Sequence, residues 1–364
     1  MSLPMWRPTW DLSRSFDWNY AHGPNLYNEP VEPLPQQHIP FLSWKLRSPL
    51  GIAAGPLPNA RFVRAYARLG YSVLTYKTVR SCEHHAHAAP VLAQLEHRGY
   101  ANPASSIPFV GHSNVSKVLP TELSSANSVG LPSEDPKRWR EDVRHARASL
   151  NEGQILVVSV VGTPENEDTT EQLAEDFARC ARWAVEAGAD MIEVNLSCPN
   201  VYGKESEVYL DPEVAASVVN ATHMAIKPVK LSAKLGYYAD STLMFAVLDG
   251  ITPFLDALTM INAVKFPIIT SDGEPYFPGT GRAYAGVGGT AIRMLAQDNV
   301  HRALKFLKWR DLSIPVIAVG GVTEPRHVDT YLALGAGIVE VATIAIWQPF
   351  FSYDYVRSRN TLEI

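Results

Sequence analysis

The sequence has few cysteines, no long apolar run and no excess of basic residues. Three cysteines among 364 residues are too few for a disulfide framework or for the four thiolates of an iron–sulfur cluster. No apolar stretch approaches the roughly 20 residues that span a bilayer, and the first residues lack the basic-then-apolar pattern of a signal peptide. The net charge of −5 provides no basic surface for nucleic acid. We therefore expect a cytoplasmic protein that binds neither nucleic acid nor membrane.

Short apolar segments alternate with longer amphipathic ones along most of the chain. Helical spacing of apolar residues is clearest in Thr170–Ala187, where Leu173, Phe177 and Cys180 share one face. Eight strand–helix alternations indicate an α/β fold of the TIM-type (β/α)8 barrel class. The predicted strands are Leu50–Ala54, Val73–Lys77, Ile155–Val161, Met191–Leu196, Val229–Ser232, Leu258–Ala263, Pro315–Gly320 and Ile338–Thr343.

Three regions fall outside the eight repeats. Residues 1–45 show no sustained period, so we expect an N-terminal extension that wraps the outside or the bottom of a barrel formed by residues 46–364. The stretch Phe41–Leu46 predicts a short hairpin. Residues 80–130 and 264–288 are long connections after the second and sixth strands, and such connections are typical of lids or interface segments.

Polar and small residues occupy the predicted carboxyl ends of the strands, where barrel enzymes place their active sites. The first strand ends in Ala53-Ala54-Gly55, which lets a flat ligand approach the backbone. Lys77 and Lys230 lie in apolar strands, and a buried lysine is costly unless a partner compensates its charge. The two lysines indicate an anionic or electron-rich ligand, and pairing with acidic core residues is the alternative.

Small residues also follow the last two strands. Gly320-Gly321 and Ala342-Thr343 match the usual position of a phosphate site in barrels, and Gly288-Gly289 would add backbone donors. Ordinary turns are the alternative for each glycine pair. A phosphate held there, with a lysine beside a planar ring near the barrel axis, suggests flavin mononucleotide (FMN).

The most informative stretch is Met191–Asn200, an apolar strand that leads directly into polar residues. Asn195, Ser197, Cys198 and Asn200 follow one another closely, and Pro199 ends regular pairing. Two amides and a thiol at the end of a strand can grip a planar polar heterocycle and move one proton. The alternative is a buried strand followed by a turn, with Cys198 as a small core residue.

The segment Asn195-Leu-Ser-Cys-Pro-Asn200 resembles the active site of the dihydroorotate dehydrogenase family. Residues 48–55, 127–132, 229–232 and 319–322 are similar to other segments of that family, so the resemblance covers most of the chain from about Ser48 to about Phe351. It implies an FMN-dependent barrel that oxidises dihydroorotate to orotate in pyrimidine biosynthesis. A cysteine base is typical of the soluble class 1 branch.

The resemblance also implies the roles of individual residues. Cys198 removes the C5 proton while hydride leaves C6 for flavin N5, and Lys77 is the second catalytic residue. The implied substrate residues are Lys77, Asn127, Gly130, Leu131, Asn195, Asn200 and Asn262. The implied cofactor residues are Ala53, Ala54, Gly55, Lys77, Thr78, Asn195, Lys230, Gly289, Gly320, Gly321, Ala342 and Thr343, to which the strand-end argument adds Ser159 and Gly288.

The electron acceptor and the exact substrate stay open. The expected partners are a pyrimidine substrate, a soluble acceptor or an iron–sulfur/flavin partner subunit, and a second copy in a homodimer. Ala263 stands where the class 1 pattern has serine, and Val129 where it has methionine. Ala263 and the long lid favour, as an alternative, a paralogue that acts on another cyclic amide. A barrel that binds a phosphorylated ligand without redox chemistry is the second alternative.

The first long connection contains Cys82-Glu83-His84-His85-Ala86-His87, whose residue types ligate zinc. No second cluster with ligand spacing follows it in the sequence. We therefore expect no metal there, and instead a solvated lid over the pyrimidine.

Overall fold

The computed structural model describes residues 8–26, 38–105, 107–114, 117–163, 169–197 and 207–360. Its strands are β1 Ile39–Phe41, β2 Trp44–Leu46, β3 Leu50–Ile52, β4 Val73–Val79, β5 Leu92–Leu95, β6 Phe109–His112, β7 Ser124–Asn127, β8 Ile155–Val160, β9 Met191–Asn195, β10 Lys230–Leu235, β11 Ala257–Met260, β12 Val264–Ile269, β13 Tyr284–Gly289, β14 Val316–Val319 and β15 Ile338–Val341. Its helices are α1 Phe16–His22, α2 Ala60–Ala67, α3 Pro136–Ala148, α4 Thr170–Glu186, α5 Pro212–Ile226, α6 Ser241–Ile251, α7 Arg293–Trp309, α8 Pro325–Leu334, α9 Thr343–Trp347 and α10 Phe351–Asn360.

Eight parallel strands close into one barrel, in the order β3-β4-β8-β9-β10-β11-β14-β15. Helices stand between successive strands, so the predicted (β/α)8 fold is confirmed. Two strand ends differ from the prediction by three residues, and the others lie within two residues of it. The fifth strand continues past Ser232 to Leu235, and the sixth already ends at Met260.

Local sequence signals explain where the outer helices begin. Before α4, Thr169 Oγ1 accepts a hydrogen bond from the Gln172 N–H, and the Gln172 side chain accepts one from the Thr169 N–H at 2.7 Å. Asp211 caps α5, and Pro212 follows at the first helical position, where a missing N–H costs nothing. These helices bury one apolar face against strands that are themselves fully buried, which fixes the frame of the site.

The hairpin of β1 and β2 closes the amino-terminal end of the barrel. Phe41 and Leu46 pack in one apolar cluster with residues near the amino ends of the barrel strands, namely Val73, Ile155, Val157, Met191, Ala257, Ile317 and Ile338. The bottom of the barrel is therefore a packed plug, and any ligand must enter from the opposite end.

Residues 8–26 lie at that opposite end, and the expectation that the whole extension wraps the outside or the bottom is wrong for them. The N–H of Thr9 donates to the Ile346 carbonyl in α9 at 2.9 Å. Trp10 Nε1 donates to the Pro56 carbonyl, just beyond β3, at 3.2 Å. Both acceptors follow carboxyl ends of barrel strands, so this segment reaches the face where barrel enzymes hold their ligands.

The two long connections form a second closed sheet, with the strand order β12-β13-β7-β5-β6. Strand β13 pairs antiparallel with both β12 and β7, while β5 joins β7 to β6. The ring closes through a short parallel pairing of β6 and β12. The predicted lids are thus strands of one small sheet, which draws half of its residues from each connection.

Candidate active site

A cavity of about 1160 Å³, counted to its open mouth, lies between the carboxyl ends of the barrel strands and the small closed sheet. Residues from seven barrel strands or the loops after them reach it, together with residues of β5, β7 and β13. The predicted site residues on its wall are Ala53, Ala54, Gly55, Lys77, Thr78, Asn127, Leu131, Asn195, Asn262, Gly288, Gly289, Gly320, Gly321, Ala342 and Thr343.

A chain of hydrogen bonds orients the amides on one side of the cavity. Asn195 Nδ2 donates to Thr78 Oγ1 at 3.2 Å, and Thr78 Oγ1 lies 3.0 Å from Ser159 Oγ. On the other side, Asn262 Nδ2 donates to Asn195 Oδ1 at 3.3 Å and to the carbonyl of Ser197. Ser159 is buried behind this row and is absent from the cavity wall. Its contact with the cavity therefore runs through Thr78.

The structure corrects the position of the second lysine. Lys230 opens β10 at the amino end of the barrel, where its Nζ forms an ion pair with Asp256 at 2.8 Å. The prediction that Lys230 lies in the cofactor site is therefore wrong. The lysine of β10 that lies on the cavity wall is Lys234, which pairs in register with Asn195 and is 2% exposed. Among the described residues, its Nζ has neither a hydrogen-bond partner nor a carboxylate within ion-pair distance.

Two buried carboxyl groups lie near Lys234. Glu340 lines the cavity and its Oε1 accepts a hydrogen bond from Thr75 Oγ1 at 2.9 Å, while Glu193 is equally buried in β9. Glu340 Oε2 and Glu193 Oε1 have no hydrogen-bond partner within the described part of the chain. Burial, with the negative charge of Glu193 added, raises the pKa of Glu340 to about 8. The carboxyl pair therefore retains a proton at neutral pH.

The loop after β7 is held by groups from both long connections. Arg282 donates from Nε to Ser128 Oγ at 3.0 Å and from Nη2 to the Ser128 and Pro90 carbonyls. The His87 N–H donates to the Val129 carbonyl at 3.0 Å. Gly130 has a φ of +86°, and a Cβ added to it would lie only 2.7 Å from the His87 ring. Gly130 therefore shapes the loop, but it does not line the cavity.

Two of the predicted site residues, Cys198 and Asn200, lie outside the described residues. The residue before them, Ser197, is buried, and its N–H donates to Asn195 Oδ1 at 3.3 Å. In the His-rich segment, His84 pairs by backbone hydrogen bonds with Ser133. In the part of the chain that the structure describes, no three His, Cys, Asp or Glu side chains are placed to hold a metal ion.

Comparisons with known proteins agree on one family. The family model for dihydroorotate dehydrogenase matches residues 38–359. A dihydroorotate dehydrogenase of Dictyostelium discoideum is 30% identical over 98% of both chains. The chain belongs to the dihydroorotate dehydrogenase family. Two archaeal relatives are catalytic subunits of dihydroorotate dehydrogenase B (NAD(+)). The subunit of Thermoplasma acidophilum is 27% identical over 82% of this chain and 84% of its own length. The subunit of Methanopyrus kandleri is 28% identical over 84% of this chain and 85% of its own length.

Members of this family are FMN-dependent oxidoreductases that act on CH–CH donors, so the expectations of a redox enzyme and of FMN are confirmed. None of the described helices is both long and apolar enough to cross a bilayer.

The cavity residues fit FMN. Lys234 presents a buried ammonium group to the cavity, and within the described part of the chain no group forms a hydrogen bond with it, which suits an electron-rich ring edge. Gly55 has a φ of +146°, and a Cβ placed there would have no protein atom within 4 Å, so the backbone borders open cavity space that a side chain would fill. Backbone of Gly320-Gly321 and Ala342-Thr343 borders the same cavity, as a phosphate site after the last two strands requires.

Three residues of the cavity wall, Lys234, Glu340 and Trp10, were not predicted from the sequence. Lys234 lies four residues after Lys230. A predicted strand extended as far as Leu235 would have placed Lys234 at its carboxyl end, where barrel enzymes hold their ligands. Glu340 sits among apolar residues of the eighth strand, and a lone buried acid there is a usable signal. Trp10 carries no local signal, because its place on the cavity wall depends on contacts with residues far along the chain.

Proposed function

We propose that this protein oxidises dihydroorotate to orotate, with FMN as its redox cofactor and Cys198 as the catalytic base. The observation that carries the proposal is the cavity itself. Three amides, Asn127, Asn195 and Asn262, line it together with Lys77 and a second buried lysine, Lys234, whose Nζ has no hydrogen-bond partner among the described residues. Bound FMN would accept the hydride that leaves the substrate, and with it the two electrons of the oxidation.

The chain's own residues divide the remaining work. The amides of Asn127, Asn195, Asn200 and Asn262 offer paired donors and acceptors to an imide edge and a carboxylate. The positive charge of Lys77 would hold the substrate carboxylate. In the sequence Cys198 comes directly after the buried Ser197, and its Sγ would accept the C5 proton.

Lys234 and the backbone after β14 and β15 would hold the cofactor. A buried ammonium stabilises negative charge that develops on a neighbouring ring. The Gly320-Gly321 and Ala342-Thr343 segments would hold the phosphate. Lys234 thereby takes the role that the sequence argument gave to Lys230.

The test combines spectroscopy with a matched pair of cysteine variants. Protein purified with FMN should lose its absorbance near 450 nm when dihydroorotate is added without oxygen. Cys198→Ala should retain FMN but be reduced about 10²- to 10⁴-fold more slowly, which is the usual contribution of a positioned base. Cys82→Ala changes an exposed cysteine and should react like the native protein. Normal reduction of Cys198→Ala would exclude this thiol as the base.

A second candidate is oxidation or reduction of a cyclic amide that lacks the carboxylate. Ala263 and Val129 both line the cavity, and both replace side chains of the class 1 pattern with smaller or less adaptable ones. Dissociation constants of orotate and uracil separate the two candidates. Much tighter binding of orotate favours dihydroorotate as substrate, and tighter binding of uracil favours the second candidate.

For reoxidation we propose a soluble acceptor acting on a homodimer of this chain alone. The three cysteines cannot supply the four thiolates of an ordinary iron–sulfur cluster, so we expect reduction of NAD⁺ to require a partner subunit. Turnover of the purified chain with fumarate supports the proposal. Turnover with NAD⁺ that appears only after a partner subunit is added would refute it.

A further inference from the structure

We infer that the N-terminal segment 8–26 is a fixed part of the cofactor site, and that Trp10 contacts the planar ring system of the bound cofactor. The inference rests on the proposed use of FMN. It extends that proposal to a residue outside the strand–helix repeats, in a segment that the barrel architecture does not require.

Trp10 is placed on the cavity wall by contacts on three sides. Its side chain is 3% exposed, and its Nε1–H donates to the Pro56 carbonyl at 3.2 Å. Its ring centroid lies 5.8 Å from that of Phe16 and 5.6 Å from that of Phe62. A tryptophan held in this way presents a rigid apolar surface to the cavity, at little entropic cost on ligand binding.

The segment around Trp10 is tied to the barrel at several points. The N–H of Thr9 donates to the Ile346 carbonyl at 2.9 Å, and Thr9 Oγ1 lies 2.8 Å from the Tyr66 hydroxyl. Further along, the Asn59 side chain donates to the Tyr20 carbonyl at 2.9 Å. These contacts hold the segment both before α1, at Thr9, and within α1, at Tyr20, so Trp10 belongs to a docked element.

The neighbours of Trp10 identify the part of the cavity that it covers. Pro56 follows β3 directly after Gly55, and Ile346 follows β15. These two strand ends carry the small residues assigned to the flavin, whereas the substrate amides Asn127, Asn195 and Asn262 come from β7, β9 and the end of β11. Trp10 therefore faces the cofactor side of the cavity.

Phe16 links the same segment to Lys77, the lysine assigned to both the substrate and the cofactor. The Lys77 Nζ lies 5.5 Å from the centroid of the Phe16 ring, within the range of a cation–π contact. Phe16 is buried and also packs against Trp10. The Phe16 ring therefore contacts both Trp10 and the ammonium group of Lys77.

The experiment compares two tryptophans of one segment. Trp18 is 36% exposed and stacks on His22, away from the cavity wall. FMN is titrated into the apoprotein of the native chain, of Trp10→Ala and of Trp18→Ala, and the dissociation constant is read from the quenching of flavin fluorescence. We expect Trp10→Ala to bind FMN about tenfold more weakly, from loss of the aromatic contact. Trp18→Ala should bind like the native protein.

A milder variant guards against misfolding. Trp10→Leu keeps an apolar side chain in the segment and should weaken FMN binding several-fold. The inference is overturned if Trp10→Leu binds FMN as tightly as the native protein, or if Trp18→Ala weakens binding as much as Trp10→Ala does. A native apoprotein that fails to bind FMN at all would instead overturn the proposed function, and the inference with it.

Discussion

The buried acid Glu340 makes the stability of this barrel depend on pH in a direction that can be worked out. Its pKa is raised from 4.5 to about 8, first by burial and then by Glu193. The folded chain therefore binds a proton more tightly at this site than the unfolded chain does. Below about pH 4.5 this group leaves the free energy of unfolding unchanged, and its contribution lowers that free energy as the pH rises from there to about 8.

The magnitude follows from the two pKa values. Each pKa unit corresponds to about 1.4 kcal/mol, so the full penalty reaches about 5 kcal/mol above pH 8. Between pH 6 and pH 8 the expected loss is about 2 kcal/mol. Glu340→Gln should remove this loss, because the amide is neutral at every pH and its oxygen can still accept the hydrogen bond from Thr75.

Denaturant unfolding of the apoprotein at pH 6, 7 and 8 measures the effect. Glu340→Gln should gain about 2 kcal/mol on the native protein over this interval. Glu175→Gln, an exposed position on α4, is the matched control and should show no such gain. A constant difference between Glu340→Gln and the native protein from pH 6 to pH 8 would refute the placement of the proton on this carboxyl pair.

Two further predictions concern the cavity and its roof. Lys234→Met should weaken FMN binding about tenfold or more, since a hydrogen bond to a charged group is worth roughly 1.5–3 kcal/mol. The control Lys230→Met removes a lysine paired with Asp256 and should leave FMN affinity unchanged. Equal losses of affinity in both variants would contradict the assignment of Lys234 to the cofactor. Arg282→Gln should raise the KM for dihydroorotate with little change in FMN content, because Arg282 holds Ser128 next to Asn127. The exposed control Arg326→Gln should leave the KM unchanged. An unchanged KM in Arg282→Gln would show that the loop does not need the hydrogen bonds of Arg282.

The barrel was predictable because its strands are short, apolar and separated by amphipathic segments of regular spacing. Each strand is buried on both faces, so hydrophobicity alone marks it. The helix over Thr170–Glu186 was predictable to within one residue, since its capping residue and its apolar face are both encoded locally. What hydrophobicity does not specify is where a strand stops.

That limit explains the exchange of Lys230 for Lys234. The two lysines are separated by an even number of residues in one strand, and their side chains therefore point to the same face. Four residues of strand amount to about 13 Å, which is most of the depth of the barrel. Once β10 runs to Leu235, Lys230 falls at the amino end beside Asp256, and Lys234 falls at the carboxyl end opposite Asn195. An error of three residues in a strand boundary thus changes which lysine belongs to the site.

The N-terminal segment and the small sheet were hidden for a different reason. Their structure depends on partners that are distant in sequence: Trp10 on Pro56, and β7 on β13. Strands of four to six residues without a local hairpin turn give no pattern that names their partner. Their glycines and prolines instead suggest loops.

The closed form of the small sheet bears on how the enzyme would choose its substrate. A sheet without free edges opens only by breaking ladder hydrogen bonds, so it resists local opening more than a loop does. Arg282 adds to this by donating to the carbonyls of Ala88 and Pro90 from one connection and of Pro278 from the other. A roof of this kind stays formed over an empty cavity. Discrimination between pyrimidines then depends on the side chains that the roof and its loop present, Asn127, Val129 and Leu131, more than on closure of a mobile lid.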